Sequence, residues 1–310
     1  MNKDTLKKWA ENPWRIAISM SRRGWLDGLS DKAYVSLLYR ANFGQKLHWD
    51  TPVTFSEKLQ WLKLYDRKPV YSSMVDKYEA KQYTSERIGD RYTIPVLGGP
   101  WSHPDEIDYD ALPDQFVLKT THDCGGVLIC ADKSKFDREA AKQMLLEHLS
   151  RDYYKHCREW PYKNVKPRIF AEKYLFEKNQ SAPIKDYKFF TFNGEPKLMY
   201  IAGGRDYSKK EDNVVYADFF DMNFNHVDLC IDHDNAPTCP EKPQTFDQMV
   251  EFARVLAQGT RHLRVDFYEV DGRLYCGELT FFHCGGLRKF KTGEWDRVMG
   301  DWIDLPPKSI

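Results

Sequence analysis

The sequence predicts an α+β fold that opens with a mainly helical region, and three observations carry that prediction. Residues 1 to about 85 place apolar side chains near helical spacing and contain few β-runs. Further on, short β-branched and aromatic runs are joined by the turn pairs Asn193-Gly194 and Asp271-Gly272. Helical stretches at 135–156 and at Phe246 to Leu256 interrupt those strands.

The chain has 310 residues, enough for a sizeable core and two or three subdomains. Lys plus Arg and Asp plus Glu both number 46, so the net charge is zero. That balance argues against a nucleic-acid partner, which usually calls for a basic excess. No apolar run reaches the length of a membrane span, and the start MNKDTLKKWAENPWR has no signal-peptide apolar region. Seven cysteines are scattered without C-x-x-C pairs, as expected for reduced thiols in a cytoplasmic protein.

Ser30-Asp31-Lys32 opens a helix through Tyr34, Leu37 and Leu38. Thr54 followed by Glu57 has the pattern of a capping box at the head of Phe55 to Tyr65, which reads as a packed surface helix. Nothing up to that point demands chemistry. Asp76 to Tyr83 reads as a charged helix with Lys77 and Lys81 on one face, followed by Ile94-Pro95-Val96-Leu97. Residues 98–115, rich in Gly, Pro and Asp, read as a linker.

Phe116 to Thr121 is a predicted strand that ends in the loop His122-Asp123-Cys124-Gly125-Gly126, with a second strand from Val127 to Cys130. A glycine pair lets backbone N–H groups approach phosphate oxygens, and Lys119 adds a point charge on the strand. Arg168 to Leu175 reads as a strand running into a connection. Asp186 to Phe192 and Lys197 to Ile201 form a hairpin in which Asp186 and Lys188 share a face. Residues 205–245 read as a polar loop ahead of the amphipathic helix from Phe246 to Leu256.

The last hairpin, Arg264 to Gly286, concentrates the chemistry. Val265, Phe267, Leu279 and Phe281 make one face apolar, whereas Arg264, Asp266, Glu278 and Thr280 are polar. Side chains alternate along a strand, so loop length decides whether the two acids meet. A two-residue Asp271-Gly272 turn puts Asp266 and Glu278 on opposite faces. A three-residue loop, Val270-Asp271-Gly272 with Gly272 as a bulge, puts them on one face with Arg264 opposite Glu278. A Mg²⁺ site shared by these hard oxygens therefore requires a loop with an odd number of residues. Two His/Cys pairs, His122 with Cys124 and His283 with Cys284, each precede Gly-Gly and are expected near one site, although their spacing is not that of a zinc centre.

In this order FVLK with its glycine loop, EKYL at 172–175, and RVDFYEV followed by GELT resemble the ATP-grasp superfamily. DKYEAK stands where that superfamily has DKxxxK, and the likeness spans roughly residues 75–290. TFSEKLQWLKLYDRKP and DKYEAK look closer still to the TupA-like branch, named for teichuronopeptide synthesis and linked to cell-surface polysaccharide assembly. The resemblance implies the ATP-grasp fold, with two α+β subdomains gripping ATP. It implies a helical and pre-ATP-grasp region over 1–110, a lid subdomain over 111–171 and a catalytic subdomain over 172–310.

By the same resemblance, Lys77 and Lys119 contact the phosphates and Gly125 with Gly126 closes over them. Glu172, Lys173, Tyr174 and Leu175 hold the adenine, through the backbone of Lys173 and Leu175. Asp186 takes a ribose hydroxyl or supports the site, Lys188 reaches the γ-phosphate, and Arg264 stabilises the transferring group. Asp266 and Glu278 bind Mg²⁺. Thr280 stands where the family usually has a third, Asn ligand, and is a poorer carbonyl substitute. Neither Lys119 nor Lys188 is expected in the core, and Asp266→Asn is expected to relieve repulsion between like charges. The implied activity is ATP- and Mg²⁺-dependent joining of a carboxylate, such as a uronic-acid sugar, to an amino acid or other amine through an acyl phosphate. A sugar kinase on the same fold and a glycosyltransferase are the alternatives.

Overall fold

A computed structural model describes residues 12–177, 184–204, 215–231 and 233–308. After a 3-10 turn at Pro13–Arg15 come α1 (Ile16–Arg22) and α2 (Asp31–Phe43). The Ser30 hydroxyl caps α2 by accepting the Ala33 N–H at 3.4 Å. The capping box expected of Thr54 and Glu57 starts α3 (Phe55–Tyr65). Its setting differs from the expected surface helix. Eight of its eleven residues are buried, Lys63 among them, because it packs on the His283–Gly286 turn and on the last helix of the chain. α4 (Val70–Val75) and α5 (Glu79–Ile88) complete the helical region. Between them Asp76 Oδ1 accepts the N–H groups of Tyr78 and Glu79 at 2.9 and 3.1 Å.

Next come β1 (Val96–Trp101), β2 (Phe116–Thr120), β3 (Val127–Cys130), α6 (Arg138–Leu149), α7 (Tyr153–Cys157) and β4 (Ile169–Lys173). The four strands form an antiparallel sheet in the order β1-β4-β2-β3. Residues 98–101, expected in a linker, are therefore strand. The single helix expected over 135–156 is broken after Leu149, and Asp152 caps α7 by accepting the Lys155 N–H.

The remaining elements are β5 (Asp186–Phe192), β6 (Glu195–Gly203), β7 (Tyr216–Phe220), β8 (His226–Val227), α8 (Phe246–Leu256), β9 (His262–Val270), β10 (Arg273–Thr280) and α9 (Glu294–Asp301). Their strands form a second antiparallel sheet, ordered β10-β9-β5-β6-β7-β8. β7 and β8 lie in the stretch expected to be polar loop, part of which falls outside the described residues. Ala217, Phe219 and Phe220 are buried there, too few apolar residues among polar ones to show a period.

The larger sheet buries Phe189, Val265, Phe267 and Leu279 against Phe246, Met249, Ala253 and Leu256 of α8 and the neighbouring helices. Each fully buried side chain of this size contributes roughly 2 kcal/mol. A smaller core of Phe116, Leu118, Ile169, Ala171 and Leu145 joins the four-stranded sheet to α6. Among the described residues no helix is long and apolar enough to cross a membrane.

The last hairpin departs from expectation in an informative way. Val270 pairs with Arg273, so the loop is the two-residue turn Asp271-Gly272, with φ of +50° and +72°. That turn alone would set Asp266 and Glu278 on opposite faces. The register then shifts at Gly277: Cys276 faces Phe267, yet Glu278 faces Asp266 directly. The extra residue needed to align the acids is a bulge inside β10, not a third loop residue. A Cβ on Gly277 would lie 2.4 Å from the Tyr268 ring, so the bulge needs glycine. Arg264 faces Thr280, not Glu278.

Candidate active site

Because neighbouring strands stand in register, the polar face of the larger sheet brings six expected residues together. β5 supplies Asp186 and Lys188, β9 supplies Arg264 and Asp266, and β10 supplies Glu278 and Thr280. Asp266, 1% exposed, is held from two sides. Arg264 donates from Nε to Oδ1 at 2.7 Å and from Nη2 to Oδ2 at 2.8 Å, and Lys188 donates to Oδ2 at 2.6 Å. Lys188 also pairs with Asp186 at 2.9 Å. Arg264 further donates to Thr280 Oγ1 at 3.1 Å and to His283 Nδ1 at 2.9 Å. Burial pushes the Asp266 carboxyl up, but Arg264 and Lys188 outweigh it and hold it below its usual range. Burial also disfavours charge on Lys188, and Asp266 and Asp186 reverse the balance and raise it. His283 is pushed well down by burial and by Arg264, so it is neutral and accepts the arginine N–H.

A second cluster spans the smaller sheet and α5. Glu172 on β4 is buried and paired with Lys119 on β2, and Lys81 on α5 reaches its other oxygen at 2.8 Å. Burial opposes ionisation of Glu172, yet Lys119 and then Lys81 keep it below the usual carboxylate range. Burial works against the Lys119 charge, while Glu172 raises its pKa, as do Glu278 and Asp186 across the gap. The two clusters therefore face one space. Glu172, expected near adenine, has its side chain engaged by these lysines. The Lys173 N–H is donated to the Pro95 carbonyl at 2.9 Å, so that N–H is spent. Tyr174 stacks on Phe176 at 5.7 Å, and Leu175 packs with Ile94, Val270 and Tyr275.

The glycine loop is braced from beneath. Lys77 donates to the Asp123 carbonyl, and the buried Asp123 carboxylate takes the Thr120 hydroxyl and a ring nitrogen of His148. A Cβ on Gly126 would fall 1.7 Å from Thr120 Oγ1 and 2.8 Å from Asp123 Oδ1. Gly126→Val is expected to force this brace open at a hairpin tip, at a cost of about 1–3 kcal/mol in loop order. Equilibrium titration should show ATP affinity reduced by roughly 10-fold or more. Unchanged affinity would remove the loop from the site.

His122 Nε2 lies 3.2 Å from the Arg151 carbonyl. Cys124 and Cys284 are exposed, and Cys284 Sγ lies 3.6 Å from His283 Nε2.

A family model described as TupA-like ATPgrasp matches residues 57–304. The chain belongs to the TupA-like ATP-grasp family. It has the ATP-grasp fold. Among solved structures, D-alanine–D-alanine ligase from Bacillus anthracis is 16% identical, with a TM-score of 0.38 over 67% of this chain and 57% of that one. N5-carboxyaminoimidazole synthetase from Staphylococcus aureus is 12% identical, with a TM-score of 0.39 over 76% of this chain and 53% of that one. The ATP-grasp ligase PsnB, complexed with minimal precursor, Mg and ADP, is 14% identical, with a TM-score of 0.34 over 73% and 57%. The chain thus spans little more than half the length of these proteins. A search of curated proteins finds no match.

In this TupA-like ATP-grasp protein the donors suit a hard divalent cation with few protein ligands. Asp266 accepts three N–H bonds, and a carboxylate offers about four acceptor positions, so one remains. Glu278, directly opposite, pairs among the described residues with Arg264 Nη2 alone, at 3.7 Å, and is 37% exposed at its side chain. Thr280 already accepts from Arg264. Among the described residues no three His, Cys, Asp or Glu side chains are grouped for a metal. Such a set fits Mg²⁺, which usually binds through one or two carboxylates together with phosphate oxygens.

Sequence reasoning left out Lys81, read as part of a solvated face, and also missed His283 as the partner of Arg264. The sequence put Lys77 and Lys81 on one helix from Asp76, but the helix starts at Glu79, so Lys77 precedes it and only Lys81 is carried on it towards Glu172. His283 was singled out ahead of Gly-Gly, but nothing local pointed to Arg264 as its partner.

Proposed function

We propose that this protein is an ATP- and Mg²⁺-dependent carboxylate–amine ligase of the cytoplasm. It would join an amino acid or other amine to a uronic-acid sugar in capsular or cell-wall polysaccharide synthesis. The observation that carries the proposal is the facing of two clusters, Lys119 and Lys81 on Glu172 against Arg264 and Lys188 on Asp266, with Glu278 between them. Cations that are already paired and oriented need no rearrangement when phosphate charge develops.

In this reading Lys119 and Lys77 hold the phosphates, Asp186 supports Lys188, and Lys188 presents its ammonium to the γ-phosphoryl group. Mg²⁺, when bound at Glu278 and Asp266, neutralises charge on the phosphate oxygens. The substrate carboxylate oxygen attacks the γ-phosphorus, and ADP leaves with the electrons of the broken P–O bond. Arg264, fixed by Asp266 and His283, faces the resulting acyl phosphate. The amine then attacks the acyl carbon and phosphate departs.

An ADP-release screen of uronic-acid sugars crossed with amino acids and small amines tests this reading. Equal ADP and phosphate should appear only when both substrates are present. ADP accompanied by a sugar phosphoester would overturn the ligase reading.

A further inference from the structure

A buried carboxylate outside both clusters lacks a bonding partner. Glu159 lies between α7 and the 3-10 turn Trp160–Asn164 and is 3% exposed; its backbone carbonyl accepts the Tyr162 N–H at 3.1 Å, while its carboxylate is in no hydrogen bond or ion pair among the described residues. Its Oε1 would stand 3.5 Å from a Cβ on Gly285, which sets it against the His283–Gly286 turn whose His283 holds Arg264. The cation that acts on it most, the buried Lys63, has spent its three donors on Gln60 Oε1 at 3.0 Å, the Cys157 carbonyl at 3.0 Å and the Gly285 carbonyl at 2.6 Å. Lys63 thus ties the wall together without satisfying the acid.

The rings of Tyr153 and Tyr162 meet edge to face at 4.7 Å beside it. Glu159 is the largest cause raising the Tyr153 hydroxyl, and Tyr162 is raised by burial, then by Glu278 and Glu159. Tyr162 therefore lies within electrostatic reach of both Glu159 and the metal-facing acid. Burial pushes the Glu159 carboxyl up to about 7; Lys63 and Arg264 oppose this and Glu278 adds to it. Cys124 and Cys157 border the same space, with Cys157 pushed up to about 11 by its burial. A buried acid with no bonded cation is costly to keep charged, and such groups collect at functional sites.

We propose that Glu159, flanked by Tyr153 and Tyr162, forms the amine subsite, where its carboxylate receives the substrate ammonium and takes a proton as nitrogen attacks. The inference rests on the ligase reading above. One ammonium proton passes to the Glu159 carboxylate, which frees the nitrogen lone pair to form the C–N bond, and the second N–H proton is carried off by the departing phosphate. The C–O bond to phosphate then breaks, and its electrons leave on inorganic phosphate.

The test compares two nucleophiles on the uronic acid that the ADP-release screen selects: the selected amino acid, and hydroxylamine, which is already neutral at pH 7. In Glu159→Gln, kcat/KM for the amino acid should fall about 100-fold, the loss expected for a missing general base. Hydroxamate formation should fall far less, and ATP affinity should match the parent. In the parent, kcat/KM for the amino acid should decline as pH drops through about 7, where Glu159 takes a proton. That limb should be absent with hydroxylamine. Should Glu159→Gln fail to fold, this parent profile decides alone. Equal loss for both nucleophiles, no loss, or no limb near 7 overturns the amine subsite while leaving the ligase reading in place. A parent that makes neither amide nor hydroxamate overturns the ligase reading, and the subsite with it.

Discussion

Asp266→Asn is expected to remove ATP turnover and to destabilise the fold by about 3 kcal/mol, near the low end of the cost of breaking a buried ion pair. Asparagine preserves the shape but removes the negative charge that both Arg264 and Lys188 share. Lys188 keeps Asp186 at 2.9 Å, and Arg264 keeps Thr280, His283 and a distant Glu278. Those remaining contacts set the loss at the low end. The expected relief of like-charge repulsion does not apply, since Asp266 is held by two cations and its pKa is lowered, not raised. A carboxylate with a lowered folded pKa stabilises above its unfolded pKa and loses that contribution as pH falls through the folded value. The gap in stability between parent and variant should therefore be full at pH 7 and close in acid below about pH 4. Urea unfolding across that range measures it, and ADP release should fall by roughly 100-fold or more. Equal unfolding midpoints at pH 7 would show that the cations do not depend on Asp266.

The same hairpin shows how far the chain could be read beforehand. Alternation identified the apolar face of Val265, Phe267, Leu279 and Phe281, all of them buried. It also placed Arg264, Asp266, Glu278 and Thr280 on the opposite face. The turn itself was misjudged, because Asp271-Gly272 closes the loop alone and Gly277 supplies the odd residue. A bulge leaves almost no trace in a single sequence except a glycine inside a strand, which has several other uses. Here the reason lies across the hairpin, in the Tyr268 ring that fills the place of a side chain.

Local signals were legible wherever the cause was local. The caps at Ser30 and Thr54 and the turn at Asn193-Gly194 depend on residues within four positions. Pairings between distant segments were not legible. Lys63 is a good helix former on what reads as a polar face, yet it is buried on carbonyls of Cys157 and Gly285, 94 and 222 residues away. Glu159 carries no motif at all. Lys188 was placed outside the core, whereas its sheet position buries it between two acids that must pair with it.

Lys119→Met is expected to lose ATP binding and turnover together with about 2 kcal/mol of stability, less than a complete buried pair because one partner lysine remains. The side chain is not a free phosphate ligand on the surface. It is 16% exposed and engages Glu172, whose own side chain is 5% exposed. Methionine fills similar volume but leaves Glu172 with Lys81 alone, and Lys81 also donates to the Ile94 carbonyl at 2.9 Å. Glu172 should then titrate at higher pH, so the variant should begin to lose stability in acid earlier than the parent. The double variant Lys119→Met with Glu172→Gln separates structure from function. Removing both charges should restore part of the lost stability, since the acid left with one lysine is gone and Lys81 keeps the Ile94 carbonyl, but it should not restore ATP affinity. Denaturant midpoints and equilibrium ATP titration on the four proteins of the cycle give both readings. A double variant that regains stability and ATP affinity together would make the lysine a structural partner of Glu172 alone. A single variant that binds ATP like the parent would remove Lys119 from the phosphate site, and with it the strongest charge that the smaller sheet brings to the larger one.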